Sequence, residues 1–243
     1  MANLRQADLR NRLLRVLPPE DFAALVPALR PEAIPLRRVL IAANTQIATV
    51  HFVEAGIVSV TSDAPSGRVE IGLLGREALV GAAPILLDDD RSPYTHFVQA
   101  AGHTLTVDVS DLRTEVERRP ALRSLLHRYI RAQIIQTAQT AFSNARGGTQ
   151  TRLARWLLMC HDRGDGDEIM VTQEFMSLML GVERPGVTMA IKALEKDGLV
   201  AKRRGRVQVI DRERLLDLAG DGYGLAETEY ARLIEGSDDA EAR

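Results

Sequence analysis

With 243 residues, 45% of them hydrophobic, the chain can build a real core, as one large domain or two. Its formal charge of −2 excludes a polycation, and its single cysteine, Cys160, excludes an internal disulfide and fits a reducing cytoplasm. No stretch approaches the roughly 20 apolar residues of a membrane helix, and the charges scattered through Met-Ala-Asn-Leu-Arg-Gln-Ala-Asp argue against a signal peptide.

Residues 4–30 read as amphipathic helices. Leu9, Leu13, Leu14 and Leu17 share one face, and Pro18-Pro19-Glu20-Asp21 opens a second short helix through Phe22, Leu25, Val26 and Leu29. From Pro35 the period changes. The runs 39–41, 49–53, 57–61, 69–73, 97–100 and 104–109 are short and rich in β-branched residues. Glu54-Ala55-Gly56, Ser66-Gly67 and Leu74-Gly75-Arg76 punctuate them as turns. Strands at this spacing predict a small β-barrel or jelly-roll. Asp111 is placed to cap a helix through Val116, and Pro120 falls in the first turn of a longer helix that runs to about Asn144. In that helix Leu122, Leu126, Tyr129, Gln133, Gln136 and Thr140 include near-heptad spacings, so the stripe needs something to pack on. A twofold copy of the helix and the chain's own β-layer are the two candidates. Gln133, Gln136 and Thr140 make part of the stripe polar, which suits a seam that fixes register.

Arg146-Gly147-Gly148 reads as a hinge. Thr149 is expected to cap the next helix, with Leu153, Trp156, Leu157 and Cys160 inward. The acidic loop 161–168 lacks calcium-loop spacing and the five histidines lack metal-ligand spacing, so no metal is expected. Thr172 is a good N-cap, Phe175, Met176, Met179 and Leu180 form an apolar face, and Gly181 supplies a turn. A second helix follows from about Glu183, with Pro185 in its first turn. Val187, Ile191 and Leu194 face the core, while Arg184, Thr188 and Lys192 stack along another side. Asp197-Gly198 ends it. Leu199-Val200 and Val207-Gln208-Val209 read as two strands with Lys202, Arg203, Arg204 and Arg206 at their tip. Two short helices and a basic β-hairpin make a winged helix-turn-helix, whose second helix fits the DNA major groove and whose wing fits backbone phosphates. Charge agrees: residues 149–214 carry 12 Lys/Arg and 10 Asp/Glu, whereas 215–243 carry 2 and 8, so the cations are local and the acidic end lies away from DNA. Residues 227–234 read as a weak helix before a frayed acidic tail.

The run Thr172-Gln-Glu…Leu-Gly-Val-x-Arg184-x-x-Val-x-x-Ala-Ile-x-x-Leu-x-x-x-Gly-Leu-Val200 resembles the C-terminal signature of Crp/Fnr-type transcription regulators, over about the last third of the chain. Val53-Glu54-Ala55-Gly56-x-Val58-x-Val60 is similar to the strand-turn-strand of the cyclic-nucleotide-binding β-roll that precedes that domain in the family. The resemblance implies base contacts from Arg184 and Thr188, base or backbone contacts from Glu183 and Lys192, and phosphate contacts from Thr172, Gln173, Arg203, Arg204 and Arg206. It implies a homodimer paired through the long helix, a palindromic double-stranded operator, and RNA polymerase as a partner. Pro185 stands where many members carry an acidic base reader, and Met189 where many carry a second Arg, so the operator should differ from the best-known family sites.

The family's effector site is only partly matched. It needs a Gly-Glu pair on a short helix and an Arg-Ser/Thr pair before the next strand. Here the corresponding positions are Glu77, Gly81 and Ala82, with Ala82 in place of the Glu, and Tyr94-Thr95 stand in register where Arg-Ser/Thr belongs. Arg91-Ser92 is out of register and follows three aspartates, so a standard cyclic AMP site is not expected and no cofactor is assigned. The single cysteine also excludes the multi-cysteine iron–sulfur cluster of some family members.

The expected architecture is therefore α+β: an N-terminal, jelly-roll-like sensor β-roll with leading helices over 1–110, a dimerisation helix over 111–146, and a winged helix-turn-helix with its tail over 147–243. The alternative function is a ligand-binding sensor whose C-terminal domain contacts protein instead of DNA. Without a nucleophile–base pair, phosphate loop or metal cluster, no enzyme is expected.

Overall fold

The fold is seen in a computed structural model that describes residues 4–65 and 67–236. A 3-10 turn at Gln6–Asp8 precedes helices α1 (Arg12–Val16) and α2 (Pro19–Leu25). Asn11 determines where α1 starts. Its side-chain oxygen accepts from the Leu14 N–H at 3.1 Å, and its amide donates to the carbonyls of Val53 and Ala78 at 3.0 and 2.9 Å. Glu54 accepts from the backbone N–H groups of Arg10 and Asn11 in turn, so a buried carboxylate and a buried amide satisfy each other's surroundings. Leu9, Leu13, Leu14 and Leu17 are all buried, as their spacing predicts.

Strands β1 (Arg30–Ile34), β2 (Val39–Ile41), β3 (Thr49–Ala64), β4 (Gly67–Leu74), β5 (Leu79–Val80) and β6 (Thr95–Asp108) form one six-stranded sheet. Its order is β1-β6-β3-β4, with β2 also on β6 and β5 on β3. β1 carries no strand signal in Arg30-Pro31-Glu32. Pro31 is tolerated because β1 is an edge, where a missing donor costs little. Two expected breaks are absent. Glu54-Ala55-Gly56 lies inside β3, and residues 101–103 lie inside β6. Glycines let these long strands cross closely instead of turning. Gly56 takes φ +95°, and a Cβ at Gly102 would stand 2.0 Å from the Ala55 carbonyl oxygen. After Gly81 a single turn, α3 (Ala82–Leu86), follows β5.

Helix α4 spans Val109–Arg118 with Asp108, not Asp111, at its N-cap position, and α5 spans Pro120–Arg146. The two helices expected over this stretch are thus present, divided before Pro120, whose ring disfavours helical conformation in the residue it follows. Helix α6 (Thr149–Arg163) places Gly148 at its cap, so Thr149 is its first residue and not its cap. Then come β7 (Glu168–Met170), α7 (Gln173–Leu180), α8 (Arg184–Lys196), β8 (Val200–Arg203) and β9 (Arg206–Val209), with a three-stranded sheet in the order β7-β9-β8. Helices α9 (Arg212–Ala219) and α10 (Leu225–Tyr230) and a last turn at Ala231–Glu235 follow. The acidic tail expected beyond residue 236 falls outside the described residues. No helix among the described residues is long and apolar enough to cross a membrane.

The compact units do not divide at 110 and 146. Of the described residues, those within 1–59, 74–134 and 228–243 form one unit, and those within 60–73 and 135–227 form the other. Polar anchors hold the two segments that join each unit from elsewhere in the sequence. In the first unit the Tyr230 hydroxyl donates to the Glu77 carbonyl at 2.7 Å, and Arg12 pairs with Glu235 at 2.6 Å. In the second, the Trp156 indole donates to the buried Glu70 carboxylate at 2.8 Å, which ties the tip of the β3–β4 hairpin to α6.

The expected seam on the long helix needs correction as well. Leu122, Leu126 and Tyr129 are buried by their own unit, and the Tyr129 hydroxyl bonds the Leu79 backbone at 3.0 and 3.3 Å. Thr140 accepts from the Arg155 guanidinium at 3.0 Å, and the Gln136 amide donates to the Leu73 carbonyl and accepts from Arg163. These five residues therefore face their own chain; Gln133 is half-buried. Heptad spacing reveals a stripe that must be covered but not what covers it. The uncovered stripe of α5 is a different one: Ile134, Thr137, Ala138, Ala141, Phe142 and Ala145 are exposed, at i, i+3, i+4, i+7, i+8 and i+11.

Candidate nucleic-acid interface

Helix α7 begins as its residues dictate. The Thr172 hydroxyl accepts from the Phe175 N–H at 3.2 Å, and Gly181 ends the helix in the left-handed region at φ +60°. Arg152, on α6, donates to the Leu180 carbonyl, a cation on the negative end of the α7 dipole. Burial pulls its guanidinium pKa down. The Ser177 hydroxyl donates to the Val182 carbonyl and closes the turn between the two helices.

Helix α8 starts at Arg184, with Glu183 at the cap position and Pro185 in the first turn. Val187, Ala190, Ile191 and Leu194 are buried, which fixes the other side outward. Arg184 is exposed and pairs with Glu174 of α7 at 2.6 Å. The Thr188 hydroxyl donates back to the Arg184 carbonyl at 2.9 Å and accepts from Gln173 at 3.4 Å. Glu183 and Lys192 are exposed. Sequence reasoning assigned all of these residues, but it missed Glu174 as the partner of Arg184. A Glu in a first helical turn reads as a dipole partner, and nothing local points it ten residues ahead.

The wing is a β8–β9 hairpin turned at Arg204-Gly205, where Gly205 has φ +75°. Lys202 donates its backbone N–H to the Glu195 carboxylate of α8 at 2.8 Å, so the hairpin is tied to the exposed helix. Arg206 pairs with Glu168 at 3.0 Å, while Arg203 and Arg204 are exposed. Thr172, Gln173, Arg203, Arg204 and Arg206 line one open cleft between the start of α7 and the wing. Five positions scattered over 35 residues of sequence are thereby brought together.

The expected effector residues gather differently. Gly81 is left-handed at φ +87°, and Ala82 is buried at the start of α3, with no carboxylate at that position. Glu77 is buried and accepts from the Gly75 N–H at 3.1 Å. Arg91 is exposed and pairs with Asp90 at 3.2 Å while donating to the Asn44 carbonyl. The Ser92 hydroxyl accepts from the Tyr94 N–H at 3.2 Å, Thr95 is buried, and Tyr94 is exposed. A cyclic nucleotide would find no ribose-binding carboxylate at Ala82, and Tyr94 and Thr95 hold the register where its phosphate would need an Arg, so these residues do not fit it.

An outward-facing cationic helix, a second helix braced beneath it and a basic hairpin define a winged helix-turn-helix, in a chain that opens with a β-roll. Residues 151–218 match the family model described as the Crp-like helix-turn-helix domain. FixK2 from Bradyrhizobium japonicum is similar in fold, with a TM-score of 0.69 at 14% identity over 79% of this chain and 98% of that one. TTHB099, a CRP-family transcriptional regulator from Thermus thermophilus, gives 0.64 at 18% identity over 78% and 96%. The c-di-GMP responsive global regulator CLP of Xanthomonas campestris gives 0.64 at 15% identity over 78% and 98%. No curated protein matches the chain. The chain thus carries a Crp-like helix-turn-helix domain on the fold of the Crp/Fnr-type transcription regulators.

Proposed function

We propose that this chain acts in the cytoplasm as a homodimeric, sequence-specific DNA-binding transcription regulator without enzymatic activity. Its partners are a palindromic operator and RNA polymerase, and its β-roll is a sensor with an altered cyclic-nucleotide site. The cleft shared by the α7 N-terminus and the wing arginines carries the reading, because backbone amides and guanidinium groups that converge on one exposed groove suit phosphates. Arg184, Thr188, Lys192 and Glu183 then meet base edges or the adjoining backbone.

Binding to random-sequence duplexes, followed by fluorescence anisotropy across a salt series, tests this. Wild type should weaken steeply with salt. The double variant Arg203→Ala, Arg204→Ala should weaken on every sequence alike and flatten the log–log slope by about 2, one counterion per lost phosphate contact. Salt-independent binding, or none to any duplex, would overturn the proposal.

The dimer needs a surface, and the exposed stripe from Ile134 to Ala145 supplies one. Ile134 and Phe142 are 63% and 43% exposed, unusual for large apolar residues on a helix, and alanines between them allow close helix approach. Pairing there would set two α8 helices about one DNA turn, roughly 34 Å, apart. Phe142→Asp should convert a dimer to a monomer in sedimentation velocity. A wild-type monomer at tens of micromolar would count against the dimer and leave the DNA-binding module untouched.

A further inference from the structure

The most exposed large apolar side chain on the interface is one that the polar contacts leave out. Met189 is 72% exposed, on a helix whose buried stripe is Val187, Ala190, Ile191 and Leu194. At 100° per residue it stands about 200° round from both Val187 and Ile191, opposite the core. Pro185 precedes it by one turn and Lys192 follows by just under one, so it lies at the middle of the outward face. Arg184, Thr188, Lys192 and Lys196 all lie to one side of it, and the small residues Gly186 and Ala193 lie to the other. The space beside it is open, since a Cβ at Gly186 would meet nothing within 4 Å.

We infer that Met189 is a specificity-determining residue that reads the C5-methyl group of a thymine in the operator. The inference rests on the reading that α8 enters the major groove. Of the four bases only thymine offers an apolar group there; guanine, adenine and cytosine present acceptors and donors that a thioether satisfies poorly. An unbranched side chain also adapts its length to the methyl, and burying both surfaces together is favourable without any hydrogen bond. Met189 therefore selects T·A at one position of each half-site and disfavours G·C, whose base-edge groups it would leave unpaired.

The experiment starts with selection of operators from a random 30-base-pair duplex pool by the purified full-length protein. Each thymine of the selected site is then replaced singly by deoxyuridine, which removes the methyl and nothing else. One thymine per half-site should lose about fivefold in affinity on this exchange with wild type, the worth of a buried methyl. The same exchange should cost Met189→Ala nothing, and that variant should keep wild-type binding to random duplexes at low salt, which shows that it is folded. If uracil is tolerated at every position, or if Met189→Ala shows the same loss as wild type, the assignment of Met189 is wrong while the regulator reading stands. If no sequence is enriched from the pool, the regulator reading fails and takes this inference with it.

Discussion

Replacing Arg184 with alanine should weaken binding to the selected operator by about 1–3 kcal/mol and relax preference at a single base pair. A guanidinium at the first position of an exposed helix can present two parallel donors to guanine O6 and N7, which alanine cannot. Its contact with Glu174 does not block this. The pair is solvent-exposed on both sides, at 65% and 74%, and exposed pairs contribute between nothing and about 1 kcal/mol. Moving Arg184 from Glu174 to a base therefore costs little, and in the free protein the pair keeps the side chain near the place where it is needed. Glu174→Gln, which retains a weaker acceptor, should change operator affinity by less than about 1 kcal/mol. Titration of wild type and both variants against the operator and a scrambled duplex separates the effects. The Arg184→Ala loss should be much larger on the operator, and equal loss on both duplexes would make Arg184 a phosphate contact and not a base reader.

The elements of the C-terminal module are legible because their signals are local. Thr172 caps within three residues, Gly181 supplies its own backbone conformation, and Pro185 and Gly198 mark the limits of α8. Burial of Val187, Ile191 and Leu194 follows from their spacing alone. What local patterns miss is closure between distant residues. The Glu54-Ala55-Gly56 run reads as a turn until Gly102, 46 positions on, is seen against it. The stripe Leu122–Tyr129 reads as a seam until the Leu79 backbone is found at the end of the Tyr129 side chain. The Glu70 carboxylate has no visible purpose in a β-run until it meets the Trp156 indole. Around α7, α8 and the wing the elements were legible and their cross-contacts were not: nothing in the sequence joins Arg184 to Glu174, or the wing to α8 through Glu195. The effector positions fail for another reason. A resemblance to a site transfers its register but not its chemistry: Ala82 carries no carboxylate where the register calls for one, and Tyr94 stands where it calls for a cation.

Gly102→Ala should cost more stability than any substitution on the DNA-facing surface, more than about 3 kcal/mol. The added Cβ would stand 2.0 Å from the Ala55 oxygen, 2.3 Å from its carbonyl carbon and 2.6 Å from the Gly56 nitrogen. All three are backbone atoms, so no rotamer change relieves the overlap. β6 cannot retreat easily either, because Gly102 is paired with Ile34 of β1, whose side chain is fully buried. Relief requires parting β3 from β6 where the sheet joins its long strands, and the surrounding core of Val53, Val58 and Val98 must loosen with it. Gly148→Ala is the matched control. Its φ is −68°, a conformation any residue adopts, and a Cβ there meets nothing within 4 Å. Alanine is a poorer N-cap than glycine but orders the unfolded chain, so that change should stay within about 1 kcal/mol. For a chain of this size 3 kcal/mol corresponds to roughly 6–12 °C in the melting midpoint, well within the reach of calorimetry. Melting of Gly102→Ala together with wild type and Gly148→Ala would mean that the strands cross with room to spare, and that glycine is not what lets β3 and β6 run unbroken.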